Sequence, residues 1–179
     1  MTSLGIIEMR SPLKGLKLVA EVQAGGELEP VMIRADDPKY FIVIFRGRRD
    51  ELITVLDAVF PAGGHYYIKK TYIPSPHPEL LNFLEPKEAD RIVEHLGIVE
   101  TVGYGIMVKC IDMVLKTPGL AVVNTVFDTV SGNGMLYITG GDAIFSSLFM
   151  EMKGICGCLD IRNTAVISSP GKMILGAIS

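Results

Sequence analysis

Leu96-Gly97-Ile98-Val99-Glu100 repeats Leu4-Gly5-Ile6-Ile7-Glu8 at a distance of 92 residues. Gly47 with Gly141 and Ile73 with Ile167 give further matches at a distance of 94. A chain that carries two similar halves folds as two copies of one unit, so each element expected in one half must also be expected in the other.

In the first half, Leu4 to Met9 is a short apolar run with β-branched residues and reads as a largely buried strand. Ser11-Pro12 supplies an N-cap and a first helical position, and Leu13, Leu16, Val19, Ala20 and Gln23 then direct one helix face toward the sheet. Gly25-Gly26 ends that helix. Pro30 to Arg34 and Tyr40 to Phe45 are strands joined by the polar turn Ala35-Asp36-Asp37-Pro38-Lys39. Leu52, Val55, Leu56, Val59 and Phe60 recur at three and four residues, which predicts a second helix closed by Pro61 and Gly63-Gly64. His65 to Ile73 is the last strand, and the order is β-α-β-β-α-β.

Residues 80–94 are expected to link a first domain, 1–79, to a second, 95–179. Pro74-Ser75-Pro76-His77-Pro78 should enter the linker extended, because proline disfavours the helical conformation of the residue before it. Glu85 to Asp90 reads as a solvent-facing helical turn. The second half then repeats the order. Leu96 to Thr101 is a strand, and Met107, Cys110, Ile111, Val114 and Leu115 mark a helix stopped by Pro118-Gly119. Leu120 to Val126 and Met135 to Thr139 form a hairpin around Ser131-Gly132-Asn133-Gly134. Asp142 is placed to cap a helix with Ile144, Phe145, Leu148, Phe149 and Met152 on its apolar face, and Ala165 to Ile167 closes the unit. Two such units in tandem make an α/β (α+β) chain of ferredoxin-like type, with mixed or antiparallel sheets and helices on one face.

Composition limits the function classes. With 179 residues, 49% of them hydrophobic, there is material for real cores. A net charge of −3 and a pI near 5.6 give no footprint for nucleic acid, and Arg46-Gly47-Arg48-Arg49 is too short to reverse that. Mean hydropathy is high at +0.37. Yet every apolar run is broken by a charge, Gly or Pro short of the roughly 20 residues a spanning helix needs. Met1-Thr2-Ser3-Leu4 shows no basic region leading into an apolar core. The expectation is a cytoplasmic protein without a lipid-membrane partner, whose excess apolar surface forms subunit interfaces.

Candidate chemistry is sparse. Cys110, Cys156 and Cys158 make no disulfide framework, and Cys-x-Cys is not a zinc-knuckle spacing. They read as small apolar residues in a reducing compartment, with metal binding between subunits by Cys156 and Cys158 as the weaker alternative. His65 and His95 read as partly exposed strand-edge residues, whereas His77 stands in the proline-rich end of the first half. Ser131-Gly132-Asn133-Gly134 lacks the ending of a phosphate loop, and Asn-Gly is itself a strong hairpin signal. Asp36-Asp37 reads as a solvated turn, and Glu8 and Glu100, at equivalent places, as structural groups at the end of a strand. No constellation supports an enzyme.

The duplicated signatures do match a family. The Gly-Ile-Ile/Val-Glu strand, the Asp112 and Lys116 pair in a first helix, Thr139-Gly140-Gly141-Asp142, and Val166-Ile167-Ser168-Ser169-Pro170 together resemble the bacterial microcompartment shell domain. Arg46-Gly47 and Ile73-Pro74-Ser75-Pro76-His77 carry the same resemblance in the first half. It covers about Leu4 to Met173 in a layout similar to the tandem-domain, trimeric shell proteins of propanediol-utilisation compartments.

What the resemblance implies is a homotrimer forming a pseudohexameric tile. Tiles join edge to edge with one another and with other shell proteins, around enzymes in the cytoplasm. In the family's single-domain members the hairpin between the second and third strands lines the pore. Carried over, Asp36, Asp37, Pro38 and Lys39 of one half and Ser131, Gly132, Asn133 and Gly134 of the other ring the axis. Small metabolites, or electrons, would pass there. The implied tile-edge residues are Asp112, Lys116, Ser75, Pro76, His77 and Ser169. The family often has a lysine and an arginine where this chain has Ala24, Ser75 and Ser169, so edge contacts are expected to be weaker or heterologous. The propanediol-type protein holds an iron–sulfur cluster on a pore-loop cysteine. Neither pore loop here has one, so no cofactor is expected. Two other readings fit the sequence: a ligand-sensing regulatory module of tandem ferredoxin-like domains, and an electron-transfer protein using the cysteines.

Overall fold

The computed structural model describes residues 2–26, 28–84 and 93–177. The turn expected over Glu85 to Asp90 and the side chains of Asp36 and Phe60 lie outside that description. The chain divides into two compact units, Met1–Pro76 with Thr129–Ser131, and His77–Asp128 with Gly132–Ser179.

The first unit contains β1 (Ser3–Met9), α1 (Pro12–Gly25), β2 (Glu29–Asp37), β3 (Tyr40–Gly47), α2 (Arg49–Gly63) and β4 (Tyr67–Ile73). Its antiparallel sheet has the order β2-β3-β1-β4. Ile7, Met9, Phe41, Val43 and Phe45 alternate onto one face, where they form a single core with Val19 of α1 and Leu52, Leu56 and Val59 of α2. The helices therefore cover one side of the sheet.

The second unit contains β5 (His95–Val102), α3 (Tyr104–Lys116), β6 (Leu120–Asp128), β7 (Asn133–Gly140), α4 (Asp142–Cys156), β8 (Ile161–Ser168) and a short α5 (Lys172–Ala177) that the sequence pattern does not announce. Its sheet order, β6-β7-β5-β8, is that of the first unit moved along the chain. The tandem ferredoxin-like reading thus holds in element order, strand order and strand sense.

Strand register refines the repeat. Leu4 pairs with Arg46 and Leu96 with Thr139, so the counterpart of Gly47 is Gly140 and not Gly141. Packing gives the reason. A Cβ on Gly47 would fall within 3.0 Å of Leu28, and one on Gly140 would meet Leu120 just as closely. Both glycines let the leucine at the start of the second strand of its unit lie against the sheet.

A second pair of glycines shows one packing problem solved twice in opposite ways. Gly15 of α1 lies against the Phe41 ring, leaving no room for a Cβ. The counterpart of Gly15 is Met107, because the N-caps Ser11 and Gly103 begin the two helices 92 residues apart. The counterpart of Phe41 is Gly134, which pairs with Thr101 as Phe41 pairs with Met9. A Cβ on Gly134 would sit 2.8 Å from the Met107 sulfur and 2.7 Å from Thr101 Oγ1. One unit fills the gap from the strand, the other from the helix.

Gly134 is therefore a packing glycine inside β7, and Asn133-Gly134 is not the hairpin turn that the sequence indicates. The turn is Thr129 to Gly132, where Gly132 has φ +69 and donates its N–H to Asp128 O at 2.8 Å. Other local expectations change as well. Ser11 does cap α1, its Oγ accepting the Lys14 N–H at 3.3 Å. The face of α1 turned to the core, however, is Gly15, Leu18, Val19 and Val22; Leu13 and Leu16 are 77% and 48% exposed, and Ala20 and Gln23 are exposed too.

Pro61 lies inside α2, whose last turn reaches Gly63, and His65 belongs to a 3-10 turn, Gly64–Tyr66, ahead of β4. His95 begins β5, a strand flanked by β7 and β8, and so is not at a sheet edge. Gly141 occupies the N-cap of α4 and Asp142 follows it without a side-chain cap bond, its charge instead complementing the helix N-terminus. The segment after Ile73 does not run extended: Ser75 has φ +46, and a 3-10 turn at Leu80–Phe83 buries Leu80 completely.

Candidate functional site

Each resemblance-derived residue can be placed by the elements that carry it. In the first unit the hairpin tip is the two-residue turn Pro38-Lys39 between β2 and β3. Asp37 closes it, its Oδ1 accepting the Lys39 N–H at 2.7 Å, and Asp37 pairs with Tyr40 across the turn. The register slips between Arg34 and Asp37, so Ala35 and Asp36 form an irregular step in the strand just before the tip. The Asp37 carboxylate, a proline and a lysine are thus gathered at one end of the sheet, with Pro38 and Lys39 exposed.

Beneath that tip is a group that sequence reasoning treated only as structural. Glu8 is fully buried, and the Tyr40 hydroxyl donates to its Oε2 at 2.5 Å. Burial, then the Glu8 charge and the hydrogen bond to it, push the Tyr40 phenol far above its ordinary range. Burial raises Tyr67 as well. A phenol locked in its protonated form is a permanent donor to Glu8, and it fixes the first residue of β3 to β1 where the hairpin emerges. The clue in the sequence was a tyrosine directly after the polar turn, two strands away from its partner. Glu100 in the second unit is held differently, by Asn163 Nδ2 at 2.6 Å and by Arg162 at 4.0 Å.

Between β6 and β7, Ser131 and Gly132 lie in the loop, while Asn133 and Gly134 lie in β7. The Gly132 N–H is taken by Asp128 O, and its carbonyl accepts the Gly103 N–H at 2.8 Å.

Three of the six edge candidates come together. Asp112, 5% exposed, accepts the His77 N–H at 2.7 Å on Oδ1 and the Lys116 ammonium at 2.5 Å on Oδ2. His77 Nδ1 in turn accepts the Glu79 N–H at 3.3 Å. Both oxygens of a buried carboxylate are thereby used, one holding the chain after Pro76 against α3 and one meeting a half-exposed lysine. Ser75 and Ser169 are counterparts in the two units and share a left-handed backbone, φ +46 and +51. This conformation is unusual for a residue with a side chain and marks the same sharp bend after β4 and after β8.

The cysteines diverge. Cys110 is buried, and a hydrogen bond with Cys156, followed by burial, raises its thiol well above the ordinary range; Cys158 is exposed. Among the described residues no three His, Cys, Asp or Glu side chains are grouped to hold a metal. No described helix is long and apolar enough to cross a membrane.

No family model matches the chain, and no curated protein matches it. Solved structures do. A microcompartment protein from Desulfitobacterium hafniense superposes with a TM-score of 0.77 at 19% identity, over 98% of this chain and 99% of that one. The double-ringed trimeric shell protein of the RMM microcompartment superposes with a TM-score of 0.63 at 15% identity, over 89% and 84% of the two chains. The fold of this chain, in both units, is the fold of those microcompartment proteins.

Proposed function

We propose that this chain is a structural shell protein of a bacterial microcompartment in the cytoplasm, without enzymatic activity. Three copies form a pseudohexameric tile that meets other shell proteins at its edges. The observation that carries the reading is the fold match over 98% of this chain and 99% of the Desulfitobacterium hafniense microcompartment protein. The trimer and the propanediol-type layout rest on the sequence motifs quoted above, and the trimeric state of the second neighbour supports the former.

In this reading Asp36, Asp37, Pro38 and Lys39 alternate around the axis with Ser131 and Gly132, while Asn133 and Gly134 carry the second loop as strand residues. A rim with two acidic residues and one lysine per first unit disfavours anions and admits neutral or cationic metabolites. Asp112, Lys116, Ser75, Pro76, His77 and Ser169 lie toward the tile edge, with Asp112 acting through Lys116 and His77, which it holds.

Light scattering at several salt concentrations tests the assembly. A trimer, or sheets that resolve into trimers at high salt, is expected; a stable monomer or dimer overturns the ring and turns attention to ligand sensing.

A further inference from the structure

The two units differ in what covers their first helix. Within the second unit the segment His77 to Phe83 is seated on α3: its 3-10 turn packs there, Leu80 has no exposed surface, and the His77 N–H is held by Asp112. Gly105, Val108 and Asp112, spaced to lie along one face of α3 and including the residue that holds His77, are all buried.

Counterparts of both partners exist elsewhere in the chain. Gly105, Val108 and Asp112 correspond, 92 residues earlier, to Leu13, Leu16 and Ala20 of α1. Those three are exposed and form an apolar stripe. The seated segment has its counterpart after β8. Ser169-Pro170 repeats the left-handed bend of Ser75-Pro76, and Ile174 donates its N–H to Gly171 O at 3.0 Å as Leu80 does to His77 O at 3.0 Å. Ile174 stands where Leu80 stands but is 39% exposed.

We propose that the Leu13, Leu16 and Ala20 stripe of α1 is the docking surface for α5, with Ile174, of a second copy of this chain. The chain already contains one such joint, and it leaves the two halves of a second joint bare. Ala20 stands in place of Asp112, so the carboxylate that clasps a backbone N–H after the bend is absent from this joint. It rests on the larger apolar groups Leu13 and Leu16 instead. A contact of α1 with another copy's α5 is heterologous, and repetition around an axis closes a ring. The inference rests on the trimer reading and states which surfaces make it.

Two measurements on the full chain test it. Leu13→Asp with Leu16→Asp changes exposed side chains only, so the far-ultraviolet circular dichroism should be retained while the native mass falls from trimer to monomer. Leu16→Cys with Ile174→Cys, in a Cys156→Ser, Cys158→Ser background, should give crosslinked dimers and trimers on mild oxidation, and each single cysteine should give neither. A wild-type trimer that survives the aspartates and does not crosslink between chains overturns the docking while the trimer stands. A crosslink confined to one chain also overturns it. A wild-type monomer overturns the ring itself.

Discussion

The opposite solutions at Gly15/Phe41 and Met107/Gly134 can be exchanged, and doing so measures how far the repeat is a matter of volume. Gly15→Met alone drives a side chain into a site already filled by the Phe41 ring. Overpacking costs about 1–3 kcal/mol, offset by about 1 kcal/mol for removing a glycine from a helix. Phe41→Gly alone empties a fully buried aromatic site. The cavity costs about 3–5 kcal/mol, and strand glycine adds about 0.5–1 kcal/mol. Independent effects would put the double variant about 3.5–8 kcal/mol below the parent, the sum of these ranges. If the helix can supply what the strand gives up, as Met107 does over Gly134, Gly15→Met/Phe41→Gly should recover about 2–3 kcal/mol of that sum. Urea denaturation of all four proteins at one concentration reads the coupling, the fixed concentration being needed because assembly adds to apparent stability. A double variant that equals the sum of the singles within about 0.5 kcal/mol would show that the two units do not share one volume rule.

Three further outcomes follow from the buried polar groups and the thiols. Tyr40→Phe leaves the buried Glu8 carboxylate without its phenol and should cost about 1–3 kcal/mol. It should also change the alkaline limb: above pH 10 the unfolded phenol ionises and the native one does not, so the native state holds the extra proton and stability falls as pH rises. That slope, about 1.4 kcal/mol per pH unit, should be missing from the variant's pH–stability profile, and an unchanged profile would refute the locked phenol. Asp112→Ala should speed hydrogen exchange at the His77 and Leu80 amides and lower stability by about 1–3 kcal/mol, whereas unaltered exchange would show that the carboxylate does not hold the segment. Cys158 should react with a thiol reagent at once and Cys110 only on unfolding; early labelling of Cys110 by mass spectrometry would contradict its burial and raised thiol.

Element order and fold class were legible because alternation and three-to-four spacing recur in both halves, and two weak patterns that agree are worth more than either alone. What periodicity could not supply was direction. Leu13 and Leu16 carry as strong a helical signal as Leu52 and Leu56, yet the first two face out and the second two face in. An apolar stripe says that a face will be covered without saying by what. Gly134 misled for a related reason. Asn-Gly fits a turn on backbone grounds, and only Met107, distant in sequence, reveals that the glycine is there to leave space. Of the candidate site, family motifs named Asp112, Lys116 and His77 only as edge residues; the spacing of Asp112 and Lys116 placed those two on one helix face, while the contact of Asp112 with the His77 N–H appears only in the structure. The Glu8 and Tyr40 pair was not visible, since it depends on strand pairing across the β2–β3 excursion.

The internal duplication also separates two kinds of difference. Where Gly15 becomes Met107, Phe41 becomes Gly134, and the substitution is answered inside the same unit. Where Asp112 is matched by Ala20 and Val108 by Leu16, nothing in the first unit answers: the lost charge is not replaced, and the added apolar surface remains exposed. A compensated difference is neutral drift of a packed core at constant volume, which folding alone can maintain. An uncompensated one needs a cause outside the unit, because exposed leucines on a helix give the isolated fold no stability and raise its risk of unspecific association. The same division applies to the segments after β4 and β8, which share a left-handed serine and a turn, yet only the first is seated. The uncompensated differences fall on one helix face and one short helix, and these are the two counterparts of a joint the chain already makes once. In the docking proposed above, a second copy of the chain supplies both.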